Sequence, residues 1–188
     1  HSNGLYLSKI RGFQFKLRLF GLHFASLDIR QDSRVIQSAL RSALSSGGAN
    51  LIAFDAMTQA DKIEFLMTSD LPVEVSGLEE ERHQDVIDSL RVMMRIQEQN
   101  GPRACHRFII SNCRGMIDIA AVIGLARMAG VWQQMELDVV PLFETIDDLA
   151  NAQSEMKLMY GHSTYRNHLG TRADKQTVML GFSDGTKD

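Results

Sequence analysis

Short runs of consecutive apolar residues alternate along the chain with longer stretches in which apolar residues recur every three or four positions. The short runs are rich in Val, Ile, Leu and Phe, which is typical of strands that are covered on both faces by helices. The longer stretches have the spacing of amphipathic helices. Four strands are predicted: Leu22–Ile29, Arg107–Ser111, Leu137–Phe143 and Val178–Phe182. This alternation of strands and helices predicts an α/β fold with four parallel strands and crossover helices.

Three helices have clear sequence signals. Ser76 and Glu79 have the spacing of a capping box, and they predict a helix over about Gly77 to Gln99. Thr145 is placed to cap a second helix directly after the third strand. Ile117–Ala129 is apolar on nearly every side, which predicts a buried crossover helix. Four parallel strands joined by such helices form either part of a doubly wound sheet or half of a (βα)8 barrel, and the order of elements alone fits both.

Composition and charge narrow the classes of partner. The 188 residues are 44% hydrophobic, as in a globular domain or part of one, and 20 basic and 23 acidic residues give a net charge of −3. That balance predicts no nucleic-acid partner. The most apolar run, Ile119–Ala126, is far shorter than the roughly 20 residues that cross a bilayer, so no membrane span is predicted. Cys105 and Cys113 lie at opposite ends of a predicted strand, which holds them too far apart for a disulfide. We therefore expect two reduced thiols, which indicate a cytoplasmic protein.

Charged residues follow the predicted strands at the ends where parallel α/β folds collect their functional groups. Arg30 follows the first strand, Glu144 the third, and Asp184 and Lys187 the fourth. Two carboxylates suit a hard divalent ion such as Mg²⁺, which completes its coordination with substrate oxygens and water. An arginine supplies a planar fork for a phosphate or carboxylate, and a lysine supplies a mobile positive charge.

A purely structural interpretation of the same residues is open at this point. Glu144 could cap its own helix, and Asp184 could form a turn. Arg30 could pair with Asp28 or Asp32, its neighbours in the chain. The spacing of the residues alone favours this interpretation over a ligand site.

Three segments at the strand ends resemble motifs of phosphoenolpyruvate carboxylase, in the order of that family. They are Leu27–Ser33 (LDIRQDS), Pro141–Leu149 (PLFETIDDL) and Val178–Asp188 (VMLGFSDGTKD). The similarity extends over about Gly12 to Asp188. It implies that residues 1–188 form a single partial domain, about half of a TIM-like (βα)8 barrel, cut from a longer protein.

The resemblance also implies a reaction: carboxylation of phosphoenolpyruvate by bicarbonate to oxaloacetate and phosphate, with Mg²⁺ (or Mn²⁺) as cofactor. Matched residue by residue, Glu144 and Asp184 resemble the metal ligands, Arg30 the phosphate-binding arginine, and Lys187 the active-site lysine. The family's essential histidine, in a His-Pro-Thr segment, and its arginine- and glycine-rich loop are absent from this sequence. The chain alone is therefore expected to be inactive.

Two alternatives to this function are considered. One is another metal-dependent barrel enzyme that acts on phosphoenolpyruvate or pyruvate and shares these motifs by distant kinship. The other is a non-catalytic module that keeps the scaffold. A homo-oligomer is expected for the parent protein, and the exposed strand edges of half a barrel predict self-association of the isolated chain.

Overall fold

One parallel sheet organises the chain. The computed structural model describes residues 4–21, 23–73, 77–78 and 80–181. Its strands are β1 (Leu27–Asp32), β2 (Cys105–Ser111), β3 (Asp138–Phe143) and β4 (Met179–Leu180). They lie in the order β1-β2-β3-β4, and every neighbouring pair is parallel. The predicted parallel α/β fold is therefore confirmed, and the sequential strand order is that of successive strands in a barrel.

Helices connect the strands. The described residues form α1 (Leu7–Phe20), α2 (Ser33–Ser46), α3 (Leu51–Ala56), α4 (Gln59–Thr68), α5 (Glu81–Asn100), α6 (Met116–Met128), α7 (Ile146–Gly161) and α8 (Ser163–Thr171), with a 3-10 turn at Pro102–Ala104. Eleven of the thirteen residues of α6 are buried, which confirms the predicted crossover helix. None of the helices in the described part of the chain is long and apolar enough to cross a bilayer.

The two faces of the sheet differ in what covers them. Phe108 and Ile110 of β2 point into the main core together with side chains of the helices. Ile109, Val140 and Leu142 point to the other face, where they form a small separate cluster. Within the described residues no helix contributes an apolar side chain to that second cluster. Helices packed on one face are the arrangement of a barrel wall, whereas a doubly wound sheet carries helices on both faces.

Strand β1 begins later than the hydrophobic pattern predicts. The predicted strand began at Leu22, which lies outside the described residues, whereas β1 begins at Leu27. Phe24 has a φ of 65°, in the left-handed region, and this turn conformation is incompatible with a strand. The observed strand continues instead to Asp32, through polar residues that the hydrophobic pattern does not include. At the other edge, β4 is shorter than predicted, and Phe182 lies outside the described residues.

The helix start signals have different outcomes. Helix α5 begins at Glu81 rather than Gly77, and the proposed capping residues Ser76 and Glu79 lie outside the described residues. Helix α7 begins as predicted. The Thr145 hydroxyl accepts the Asp148 N–H at 3.1 Å, and the Asp148 carboxylate accepts the Thr145 N–H at 3.0 Å. This reciprocal pair is a complete capping box.

A buried glutamine joins the amino-terminal ends of two strands. Gln97, on α5, donates to the Cys105 carbonyl at 2.6 Å and to the Glu136 carbonyl at 2.7 Å. Its side-chain oxygen accepts the Glu136 N–H at 2.9 Å. One side chain thus bonds three backbone groups, and it ties α5 to the starts of β2 and β3.

Replacing Gln97 with alanine should lower the free energy of unfolding of the chain by about 2–3 kcal/mol, because one buried and two half-buried backbone groups lose their partner. Urea denaturation of the 188-residue chain measures this change. The matched control is Gln134→Ala, whose amide donates to the Gly130 carbonyl at the surface; this change should cost less than about 0.5 kcal/mol. Equal losses in the two variants would contradict the structural role of Gln97.

Candidate functional site

Arg30 and Glu144 meet at the carboxyl end of the sheet. Arg30 lies in the second half of β1, and Glu144 is the first residue after β3. The Arg30 guanidinium donates to Oε1 of Glu144 at 3.0 Å, across 114 positions of sequence. The structure thus brings together two of the four residues that the sequence selected for the site.

The structural partners considered for these two residues are not the ones observed. Asp28 pairs with Arg107 at 3.3 Å, and Asp32 pairs with Arg34 at 2.7 Å, so neither is the partner of Arg30. The Arg34 hydrogen bond also lowers the pKa of the Asp32 carboxyl below its usual value. Glu144 does not cap α7, because Thr145 fills that position.

A backbone group holds the second oxygen of Glu144. The N–H of Asn112, in the turn after β2, donates to Oε2 of Glu144 at 3.0 Å. Asn112 has a φ of 54°, in the left-handed region that asparagine tolerates better than most residues. The site residues predicted from sequence follow the first, third and fourth strands only, and Asn112 was not among them. An asparagine directly after the second predicted strand was the available signal.

The Arg30–Glu144 pair is accessible from solvent. The Arg30 side chain is 54% exposed and the Glu144 side chain 23% exposed. An ion pair with this much exposure contributes less than about 1 kcal/mol to stability. Both groups are therefore able to exchange their mutual contact for contacts with a charged ligand.

The other two predicted site residues, Asp184 and Lys187, lie outside the described residues. The described chain nevertheless comes close to Glu144 just before them. The Gly181 N–H donates to the Phe143 carbonyl at 2.7 Å. A Cβ added at Gly181 would lie 2.8 Å from Cα of Glu144. Between residues 4 and 181, with the gaps given above, no three His, Cys, Asp or Glu side chains form a group that could hold a metal ion.

A cavity of about 660 Å³ opens at the opposite end of the sheet. It lies beside the residues that precede β3, and Trp132 and His168, with ring centroids 4.7 Å apart, contribute to its wall. The charge of Arg172 in this wall is already satisfied by Glu136 and by Asp138 at 2.6 Å. Barrel enzymes hold their active sites at the carboxyl end of the sheet, so the Arg30–Glu144 pair, and not this cavity, is the candidate site.

Fold and site together define a class: a barrel-type α/β chain with its polar residues at the carboxyl edge of the sheet, where barrel enzymes hold their active sites. The family model for phosphoenolpyruvate carboxylase matches residues 1–188. The chain belongs to the phosphoenolpyruvate carboxylase family.

Individual relatives agree with this assignment. The chain is 33% identical over 182 residues to the phosphoenolpyruvate carboxylase of Xanthomonas euvesicatoria pv. vesicatoria, covering 95% of this chain and 20% of the relative. It is 32% identical over 197 residues to that of Nitrosomonas eutropha, covering 100% and 21%. It is 34% identical over 194 residues to the phosphoenolpyruvate carboxylase of Roseiflexus castenholzii, covering 100% of this chain and 20% of the relative. The chain thus spans about a fifth of the length of these curated relatives.

The two cysteines are free and buried, as predicted for reduced thiols. Cys113 lies in the turn that carries Asn112, and burial raises the pKa of its thiol to about 12. Burial also raises the pKa of the Cys105 thiol. Neither side chain is therefore available as a thiolate nucleophile near neutral pH.

In the folded chain at about pH 8, neither thiol should react with a chromogenic disulfide such as DTNB, because the reaction requires an accessible thiolate. The absorbance of the released thiolate measures the reaction over minutes. In urea, where the chain is unfolded, both thiols should react. Rapid release of a stoichiometric amount from the folded chain would contradict the burial of the two thiols.

Proposed function

We propose that this chain is part of an enzyme that carboxylates phosphoenolpyruvate with bicarbonate to form oxaloacetate and phosphate. The observation that carries the proposal is the Arg30–Glu144 pair at the carboxyl edge, in a chain that belongs to the phosphoenolpyruvate carboxylase family. The activity belongs to the full-length parent. The 188-residue chain alone is inactive in this proposal, because the histidine and the arginine- and glycine-rich loop implied by the family resemblance are not among its residues.

Arg30 binds the phosphate of phosphoenolpyruvate in this proposal. Its guanidinium offers parallel N–H donors that match two phosphate oxygens. Glu144 now accepts one of these donors. A phosphorylated ligand would replace Glu144 as the partner of the Arg30 guanidinium and leave Oε1 of Glu144 free for a cation. Arg30 then binds the negative phosphate, and Glu144 binds the positive ion.

Glu144 and Asp184 hold a divalent ion, Mg²⁺ or Mn²⁺, in this proposal. The donor chemistry fits, since Mg²⁺ takes one or two carboxylates and fills its other positions with water and substrate oxygens. Asp184 is three residues beyond Gly181, a distance that an extended chain covers in about 10 Å. The close approach of Gly181 to Cα of Glu144 therefore supports a shared site for the two carboxylates. The bound ion would stabilise the negative charge that develops on the enolate and phosphate oxygens.

The reaction concentrates negative charge, and the roles of the chain's own residues follow from this. A bicarbonate oxygen attacks the phosphorus of phosphoenolpyruvate, the bond from phosphorus to the enol oxygen breaks, and enolate and carboxyphosphate form. Arg30 orients the phosphate and offsets its charge, and Lys187 supplies a second positive charge. Fixed positive groups of this kind lower a barrier because they are already oriented when the charge develops.

Replacing Arg30 with glutamine in the full-length parent should lower kcat/KM for phosphoenolpyruvate by about 100-fold or more, because the phosphate loses a charged bidentate donor. Replacing Asp184 with asparagine should abolish Mg²⁺-dependent oxaloacetate formation. A coupled assay that reduces oxaloacetate with malate dehydrogenase and NADH measures both.

The matched control is Arg41→Gln, which removes an arginine from the same region of sequence. Arg41 lies on α2 and pairs with Asp55 at 2.6 Å, away from the strand ends. This variant should keep the activity of the parent. Full activity in the Asp184→Asn variant would remove that residue from the site, and oxaloacetate formation without bicarbonate would exclude the carboxylase reaction.

We also propose that the parent is a cytoplasmic homo-oligomer and that the isolated chain self-associates. The free thiols fit a reducing compartment. Among the described strands, β1 and β4 are each paired on one side only. Leu27 on β1 is 54% exposed and Leu180 on β4 is 62% exposed, so both edges present apolar side chains to solvent. Such edges are templates for pairing with another chain.

Light scattering of the 188-residue chain should therefore show a mass that rises with concentration. Replacing Leu27 with lysine should shift the equilibrium toward monomer, because a charge on an edge strand opposes pairing. The matched control is Ile52→Lys on α3, an exposed apolar residue away from both edges. If the unsubstituted 188-residue chain stays strictly monomeric at high concentration, the proposal is contradicted.

A further inference from the structure

The turn after β2 is held by side chains from several elements, although it contributes only a backbone N–H to Glu144. The peptide groups on both sides of Asn112 are bonded. Its N–H donates to Glu144 at 3.0 Å, and its carbonyl accepts the Ser33 hydroxyl at 2.6 Å. These two bonds constrain Asn112 in a left-handed conformation that costs a non-glycine residue free energy.

Ser33 is built into this arrangement. It is the first residue of α2, directly after β1, and only 1% of its surface is exposed. The segment that carries Arg30 thus also reaches across to the turn that holds Glu144. A buried hydroxyl in such a position is constrained to one partner, because no solvent competes for its hydrogen bond.

Asp118 holds the other half of the turn. It lies in the first turn of α6, and only 3% of its surface is exposed. One carboxylate oxygen accepts the Arg114 N–H at 2.9 Å, and the other accepts the Gln37 amide at 2.8 Å. Burial raises the pKa of this carboxyl, and the two hydrogen bonds act against that shift. Asp118 therefore links the turn to α2, the same helix that begins with Ser33.

A third contact completes the support. Glu155 on α7 accepts the Met116 N–H at 2.9 Å. Its carboxylate also occupies the space above Gly115, where an added Cβ would lie 2.0 Å from Oε2. Gly115 has a φ of 147°, which also disfavours other residues. The turn is thus enclosed from two sides by buried or half-buried polar groups.

We propose that Ser33 and Asp118 are positioning residues that orient the Glu144 carboxylate through the N–H of Asn112. This inference rests on the proposed function, in which Glu144 is a metal ligand. The Asn112 N–H holds Oε2, and Oε1 is the oxygen that the exposed Arg30 guanidinium now contacts. Without Ser33 or Asp118, the backbone at Asn112 is less constrained, and its N–H can turn away from Glu144. The Glu144 carboxylate then adopts, part of the time, orientations that do not bind a cation.

The test is Mn²⁺ binding to the full-length parent, followed by the electron paramagnetic resonance signal of the free ion. Replacing Ser33 with alanine should raise the dissociation constant for Mn²⁺ on the order of ten-fold, as is usual for groups that orient a metal ligand. The matched control is Ser38→Ala on the same helix. Its hydroxyl contacts His83 at 2.8 Å, away from the turn. This variant should bind Mn²⁺ like the parent.

A second pair of variants addresses Asp118 without depending on Ser33. Asp118→Ala removes both hydrogen bonds, and it should weaken Mn²⁺ binding to a similar extent. Asp118→Asn can keep both, because its oxygen can accept the Arg114 N–H while its amide donates to Gln37 with the Gln37 amide turned over. The asparagine variant should therefore retain Mn²⁺ binding close to that of the parent. Thermal unfolding of each variant identifies any loss that reflects misfolding.

The outcomes separate the two proposals. If folded Ser33→Ala and Asp118→Ala variants bind Mn²⁺ as tightly as the parent does, the positioning role is overturned and the carboxylase proposal stands. If the parent forms no oxaloacetate from phosphoenolpyruvate and bicarbonate, the proposed function fails, and this inference fails with it. Weaker Mn²⁺ binding in the two alanine variants, with Ser38→Ala and Asp118→Asn unchanged, supports the inference.

Discussion

The parallel pairing of β1 with β2 and of β2 with β3 is the constraint on which the site depends. In this pairing Arg30 lies beside Ile109, and Ile109 lies beside Val140. A slip of two residues between neighbouring strands would move one strand end by about 6.6 Å. Such a slip would separate Arg30 from Glu144, whose side chains meet at 3.0 Å. The register therefore decides whether residues 114 positions apart form one site.

Packing of the main core sets this register, and the ion pair does not. Ile29 packs against the main core, so its neighbour Arg30 points to the other face of the sheet. Phe108 and Ile110 of β2 are also buried in the main core. Burial of one large apolar side chain contributes about 1.5–3 kcal/mol, whereas an exposed ion pair contributes less than about 1 kcal/mol. The apolar residues that alternate with the polar groups along the strands therefore determine where the polar groups of the site lie.

Strands β2 and β3 and the buried crossover helix were predictable from sequence because each contains a run of consecutive apolar residues. The first strand was predicted too early, since the residues before Leu27 are apolar while Asp28 and Arg30 inside the strand are charged. Hydrophobic periodicity does not detect a strand whose exposed face points into a polar site.

Arg30 and Glu144 were predictable as a pair because charged residues follow strands in a parallel sheet. The contribution of Asn112 was not predictable in this way. It acts through its backbone N–H, and every residue except proline carries that group, so residue type gives little information. Ser33 and Asp118 were missed for a related reason. Their partners are backbone groups of the turn, and only the folded chain brings them together.

Gly181 shows how a family motif can carry geometry as well as chemistry. Strand β4 leaves the sheet directly against Glu144, and an added Cβ would lie 2.8 Å from Cα of Glu144, closer than real side chains approach. The conflict involves backbone, which has little freedom to move because the Gly181 N–H is bonded to the Phe143 carbonyl. A larger residue would push the fourth strand end away from the third. The glycine in the segment LGFSD thus has a physical reason, since it allows the chain toward Asp184 to start next to Glu144.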